Sequence, residues 1–120
     1  MKPGKRPKPI ILRRLSGLII LRLLCENKMH GYDIWKKLEE AMNLKIPHPI
    51  VYRILRDYEA HGLVKSDWVY TESGPAKKIY EITEDGIFLL KNNLEYLKKL
   101  RDILAEIVDF IEEKLKAHPT

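Results

Sequence analysis

The last third of the chain constrains the fold more than any other stretch. From Glu84 to about Ala117 there is no proline, and Leu90, Leu97, Leu104 and Ile111 recur at intervals of seven. Ile87, Leu94, Val108 and Leu115 form a second such row, interrupted only at Arg101. This spacing predicts one long helix with an apolar seam. The rest of a 120-residue chain is too small a body to cover it, so the stripe is expected to seek a partner helix. Leu90, Leu94, Leu97, Leu104, Val108 and Ile111 are the expected dimerisation set. Leu100, Ile103 and Ile107 widen the face enough to touch the first helix or a second subunit.

Ahead of that helix the chain alternates between two characters. Ile10 to Cys25 is dense in apolar residues, with Leu15, Leu18, Ile19 and Leu23 at helical spacing, and predicts a first helix largely buried in a core. Asn27-Lys28 breaks it. A second, amphipathic helix opens at His30-Gly31-Tyr32-Asp33 and runs to about Ala41, with Ile34 and Leu38 facing inward. Pro47 and Pro49 suit only the opening turn of a third helix, where a missing N–H costs nothing; it runs to about Ala60 and stops at Gly62. Leu63–Tyr70 and Ala76–Ile82 are β-rich runs flanking Ser73-Gly74-Pro75, which predicts a hairpin with a loop of several residues. Thr83 offers an N-cap to the last helix. Three helices, a hairpin and a trailing helix make a mainly α chain with a small β-hairpin: a winged helix-turn-helix over 10–83 and a C-terminal dimerisation helix over 84–120, with residues 1–9 as a basic arm.

Charge is unevenly placed. Lys2, Lys5, Arg6, Lys8, Arg13 and Arg14 fall within the first 14 residues with no acid among them, so the rest of this +5 chain is close to neutral. Pro3, Gly4, Pro7 and Pro9 disfavour helix there, leaving a basic arm suited to a polyanion. The longest uncharged apolar run, Leu15 to Leu21, is far short of the roughly 20 residues of a membrane span. No signal peptide is evident either, and a cytoplasmic location is expected. Cys25, the one cysteine, is expected to be a small buried hydrophobe, and with four scattered His no metal or other cofactor is expected.

On the third helix Val51, Ile54, Leu55 and Tyr58 share one face, and Pro49, Tyr52, Arg53 and Arg56 the opposite one. The second helix of a helix-turn-helix lies in the major groove with its N-terminal residues at base edges, which makes His48, Tyr52, Arg53 and Arg56 the candidate readers. Arg can form paired bonds to guanine, while Tyr and His reach phosphates or base edges. Lys77 and Lys78 follow the hairpin turn, where a wing lies along the sugar-phosphate backbone; adjacent strand residues face opposite sides, so one of the two can point away. With Lys5, Arg6, Arg13 and Arg14 these complete a candidate DNA-binding set drawn from arm, helix and wing.

At this point residues 17–86 resemble the PadR family of winged-helix transcriptional regulators. The resemblance rests on His30-Gly31-Tyr32-Asp33-Ile34, on Tyr52-Arg53-Ile54-Leu55-Arg56 followed by Glu59 and Gly62-Leu63-Val64, on Trp68, and on Gly74-Pro75-Ala76-Lys77-Lys78-Ile79-Tyr80 with Thr83 and Gly86. It implies a homodimer with crossing C-terminal helices, a repressor role at a promoter, and relief of DNA binding by a small, frequently aromatic, molecule. The single trailing helix looks like the family branch with a short dimerisation segment. Where that family usually has a small hydroxyl residue and a glycine at the start of the third helix, this chain has Pro47 and Pro49. Neither offers an N–H to a phosphate, so backbone anchoring is weakened there and His48 is the substitute at hand.

Two other classes compete. An enzyme would draw on His30, His48, His61 and His118, but no nucleophile, phosphate loop or metal-spaced pair accompanies them. A winged-helix protein-interaction module without specific DNA binding is the stronger alternative, because fold does not fix function and the apolar stripe could hold another protein. Salt dependence separates the two, since phosphate contacts weaken steeply with salt and an apolar interface does not. Tyr32, Trp35, Trp68 and Tyr96 are candidate effector-binding aromatics, unless they simply pack in a core or interface.

Overall fold

In the computed structural model, which describes residues 10–116, helix α1 spans Ile10–Glu26, α2 Gly31–Met42, α3 His48–Ala60, α4 Glu84–Asn92 and α5 Leu94–Phe110. Strands β1 (Met29–His30), β2 (Val64–Thr71) and β3 (Gly74–Ile82) form one antiparallel sheet in the order β1-β3-β2. Lys5 and Arg6 of the basic arm lie outside the described residues.

The core follows from the sequence pattern. Ile20, Leu21 and Leu24 of α1 meet Ile34 and Leu38 of α2, Val51, Ile54 and Leu55 of α3, and Val64 and Tyr80 of the sheet, all buried. Removing each large aliphatic side chain from water contributes about 1.5–3 kcal/mol. On α1 the buried line is not the Leu15, Leu18, Ile19 and Leu23 row, which is half-buried, but the neighbouring one through Gly17, Ile20, Leu21 and Leu24. A helix apolar on most sides does not declare its inner face. Cys25, one step round from Leu24, is exposed rather than buried for the same reason.

Three further expectations are corrected. The hairpin gains a third strand: β1 pairs Met29 with Tyr80 and His30 with Ile79, where the sequence suggests a break and a helix start. Two residues are too few to carry a strand signal of their own. The loop is tighter than expected, because Thr71 pairs with Gly74 across Glu72-Ser73 and the ladder is irregular between Val69 and Thr71. Gly74-Pro75 therefore opens β3, where Pro75 lies beyond the pairing with β1 and its missing N–H breaks no bond on that side. Finally, the trailing helix is not continuous. It breaks at Asn93, whose backbone (φ −90°, ψ −2°) stays in the right-handed region but departs from regular helical values, while its carbonyl accepts the Leu97 N–H at 2.9 Å. Absence of proline is a weak guarantee of continuity when two asparagines, both poor helix formers, stand side by side.

α3 ends at Ala60, and Gly62, two residues further on, is held at φ 74°. Thr83 caps α4, its Oγ1 accepting the Gly86 N–H at 3.2 Å and donating to the Gly62 carbonyl at 2.6 Å. The chain forms two compact units, the first running to Leu90 and the second beginning at Lys91. In the second unit α5 continues into a π-helical turn over Ile111–Leu115 and buries none of its side chains.

Candidate nucleic-acid interface

The third helix is placed by its turn. α2 ends on Asn43 in the left-handed conformation (φ 51°). The chain then passes Ile46, whose N–H donates to Glu39 Oε2 at 2.6 Å and whose carbonyl accepts the Trp35 indole N–H at 2.6 Å. Both partners stand on α2, so the turn is tied back to the preceding helix by two side chains. Pro47, with extended backbone (φ −61°, ψ 136°), precedes the first turn and Pro49 sits within it. The N–H of Ile50 donates to the Pro47 carbonyl at 3.0 Å, so the prolines cost the helix no bond it could have made.

From that start Val51, Ile54 and Leu55 face the core, while Tyr52, Arg53 and Arg56 are exposed on the other side. His48 is exposed too, with its ring 3.9 Å from that of Trp35, centroid to centroid, and 6.4 Å from Tyr52. Tyr32 joins this group at 5.5 Å from Trp35. The Tyr52 ring lies over the start of α2 at a spot where any side chain on Gly31 would strike it. A glycine there lets the ring come close to the backbone. Arg13 and Arg14 are exposed on the first turns of α1.

The wing separates the two lysines. Lys77 pairs across from Val69 and is exposed. Lys78, opposite Trp68, is half-buried and donates to Glu59 Oε1 of α3 at 3.1 Å, with its ammonium 5.5 Å from the Tyr80 ring centroid. Ser66 of β2 donates a short hydrogen bond to the other oxygen of Glu59. The Ser66 hydroxyl first, and the Lys78 ammonium with it, hold the Glu59 carboxyl below its ordinary value against the opposing effect of burial. Burial raises the hydroxyl pKa of Tyr80, with Lys78 opposing it, and that of Tyr58.

Of the four effector candidates, Tyr32 and Trp68 line one cavity of about 520 Å³, together with Tyr52, Tyr80, Lys77 and Lys78. Trp35 is instead committed to the Ile46 carbonyl, and Tyr96 lies on α5 in the second unit, exposed. Of the dimerisation set, Leu90 packs against the core of the first unit, Leu97 is half-buried, and Leu94, Leu104, Val108 and Ile111 are each about half exposed. His30 hydrogen-bonds locally, its Nε2 3.1 Å from Asp33 Oδ2. Among the described residues no group of acids, His and Cys is arranged for a metal ion, and no helix is long and apolar enough to cross a membrane.

Sequence reasoning missed Lys45. It sits exposed on the turn before α3, beside a cleft that Arg13 and Arg53 also line. Periodicity says nothing about turn residues, and only the packing of α1 against the turn gathers the three cations. It also missed Glu59 as the residue that joins helix to wing, since nothing local pairs it with a strand 19 residues away.

Comparison with known proteins agrees with this geometry. Residues 20–92 match the profile of the transcriptional regulator PadR-like family. A Mycobacterium tuberculosis protein described as a transcriptional regulator is 30% identical over 69 residues, 56% of this chain; the match spans only 36% of that longer relative. A Thermoplasma acidophilum protein described in the same way superposes with a TM-score of 0.77 at 30% identity, covering 84% of this chain and 97% of its own. Bacillus subtilis PadR in complex with operator DNA superposes at 0.59 with 25% identity, over 68% of this chain and 46% of that one.

Proposed function

This chain belongs to the transcriptional regulator PadR-like family, and from that premise we propose that it is a homodimeric, sequence-specific DNA-binding repressor. The observation that carries the reading is the outward face of α3, where Tyr52, Arg53 and Arg56 stand exposed on a helix whose entry is fixed from α2 by Trp35 and Glu39. A helix so held presents its N-terminal side chains to the major groove, with Arg53 and Arg56 reading guanine edges. Lys77, Arg13 and Arg14, with Lys5 and Arg6 of the arm, supply contacts to phosphates. The likeness to a relative solved on operator DNA supports this reading.

Dimerisation through α5 is supported by the half-exposed Leu94, Leu104, Val108 and Ile111, which a partner helix would cover. Relief of DNA binding by a small aromatic molecule is supported by the ring-lined cavity that holds Tyr32 and Trp68. The protein works in the cytoplasm and catalyses no reaction.

The test is fluorescence anisotropy against a random-sequence duplex at two salt concentrations, with mass by light scattering in the same buffer. A dimer whose affinity falls by orders of magnitude between low and moderate salt is expected. A folded dimer that binds no duplex at low salt overturns the reading in favour of a protein-interaction module.

A further inference from the structure

A second cavity, of about 510 Å³, opens between the start of α1, the α2–α3 turn and the start of α3. Its floor and walls are aliphatic, built from Leu12, Met42, Leu44, Ile46 and Ile50 with the two prolines and no aromatic ring. Its charged lining is Arg13, Lys45 and Arg53. All three are exposed, and none forms an ion pair among the described residues. No acid lines the cleft, and Glu39, on the neighbouring helix, is occupied by the Ile46 N–H.

We propose that this cleft binds a medium-chain aliphatic carboxylate, and that such a ligand competes with DNA for the cations at the reading head. The chemistry is set by complementarity. An anion meets three unpaired cations, and an apolar body meets a floor that offers no ring to stack on, which favours an alkyl chain over a planar one. Orientation follows from the lining: the hydroxyl of Ser16, buried in the cleft wall, lies 2.8 Å from the Leu12 carbonyl oxygen and 3.1 Å from the Met42 sulfur. That hydroxyl is already engaged within the wall, while Arg13, Lys45 and Arg53 are the charged part of the lining and are exposed, so the head group sits at the cationic rim and the chain below it.

The competition rests on the regulator reading, because Arg53 belongs to the proposed base-reading set and the ligand would engage it. This site is distinct from the ring-lined cavity beside the wing, and it acts by occupying the cations directly rather than by moving the dimer.

The experiment titrates octanoate, and 1-octanol as its neutral counterpart, into full-length protein carrying Trp68→Phe. Trp35 is then the sole tryptophan, and its indole holds the carbonyl of Ile46, a cleft residue. The expected result is one octanoate per protomer, with 1-octanol at least tenfold weaker. Replacing Arg13 and Lys45 together by Ala, both exposed positions, should lower octanoate affinity about tenfold and leave 1-octanol unchanged. Equal binding of acid and alcohol, or octanoate binding indifferent to the double substitution, overturns the site. In a second arm octanoate should raise the Kd for duplex DNA in the parent and not in the double variant; simultaneous binding of both overturns the competition. The first arm contains no DNA, so a protein that takes octanoate but no duplex refutes the regulator reading and leaves the cleft standing.

Discussion

Lys78 Nζ lies 3.1 Å from Glu59 Oε1, so an ion pair joins the wing to the third helix. Ser66 holds the other carboxylate oxygen, which makes Glu59 a clamp between the third helix and the wing. Glu59 has a depressed pKa in the folded state, so the native protein binds fewer protons here than the unfolded chain. Its contribution to stability is present above the ordinary carboxylate value of 4.5 and is lost as pH falls through the lower folded value. Glu59→Gln should therefore lower stability at pH 7, with the difference from the parent shrinking as urea unfolding is repeated toward pH 3.

The same pair divides the roles of the two wing lysines. Lys78→Ala should cost only about 0.2–1 kcal/mol of stability, because the pair is partly exposed, and should change the salt dependence of DNA binding little. Lys77→Ala should leave stability unchanged, weaken binding to every duplex alike, and reduce the slope of log K against log salt by about one. Salt titrations of both variants on specific and scrambled duplexes check this.

Arg53→Ala should cost about 1–3 kcal/mol of specific affinity and relax preference at one base position, since bidentate guanine contacts discriminate by that amount. Equal losses on the operator and on scrambled duplexes would reduce Arg53 to a phosphate contact.

Trp35→Phe keeps the ring and removes the indole N–H from the Ile46 carbonyl. The lost bond should cost about 1 kcal/mol and loosen the entry of α3, so thermal stability and DNA affinity should fall together. An unchanged affinity in a destabilised protein would mean that the turn is held without it.

Gly86→Ala should destabilise by about 1–3 kcal/mol. A methyl group there meets the Leu63 carbonyl oxygen, which is backbone and already accepts the Thr83 N–H at 3.1 Å, so it cannot move aside cheaply. Denaturant melts read the cost directly.

Leu104 is 54% exposed on α5. Leu104→Asp should convert the dimer to a monomer, by placing a charge where the partner helix would desolvate it. Sedimentation mass is the readout, and an unchanged mass would remove Leu104 from the interface.

The sequence by itself determined the order of helices, the two-faced third helix and the outward set Tyr52, Arg53 and Arg56, because these depend on periodicity within a few turns of one element. The N-cap role of Thr83 was legible for the same local reason. Tertiary structure alone decided what depends on residues far apart in the chain. It chose which of two apolar rows on α1 is buried, leaving Cys25 in solvent; added Met29–His30 to the sheet through pairing with β3; and turned Lys78 inward to Glu59. It also gathered Arg13, Lys45 and Arg53 around one cleft. Local pattern sets which faces are apolar or charged; only closure of the chain sets which of those faces meet, because a contact's energy belongs to two residues and neither carries a record of the other.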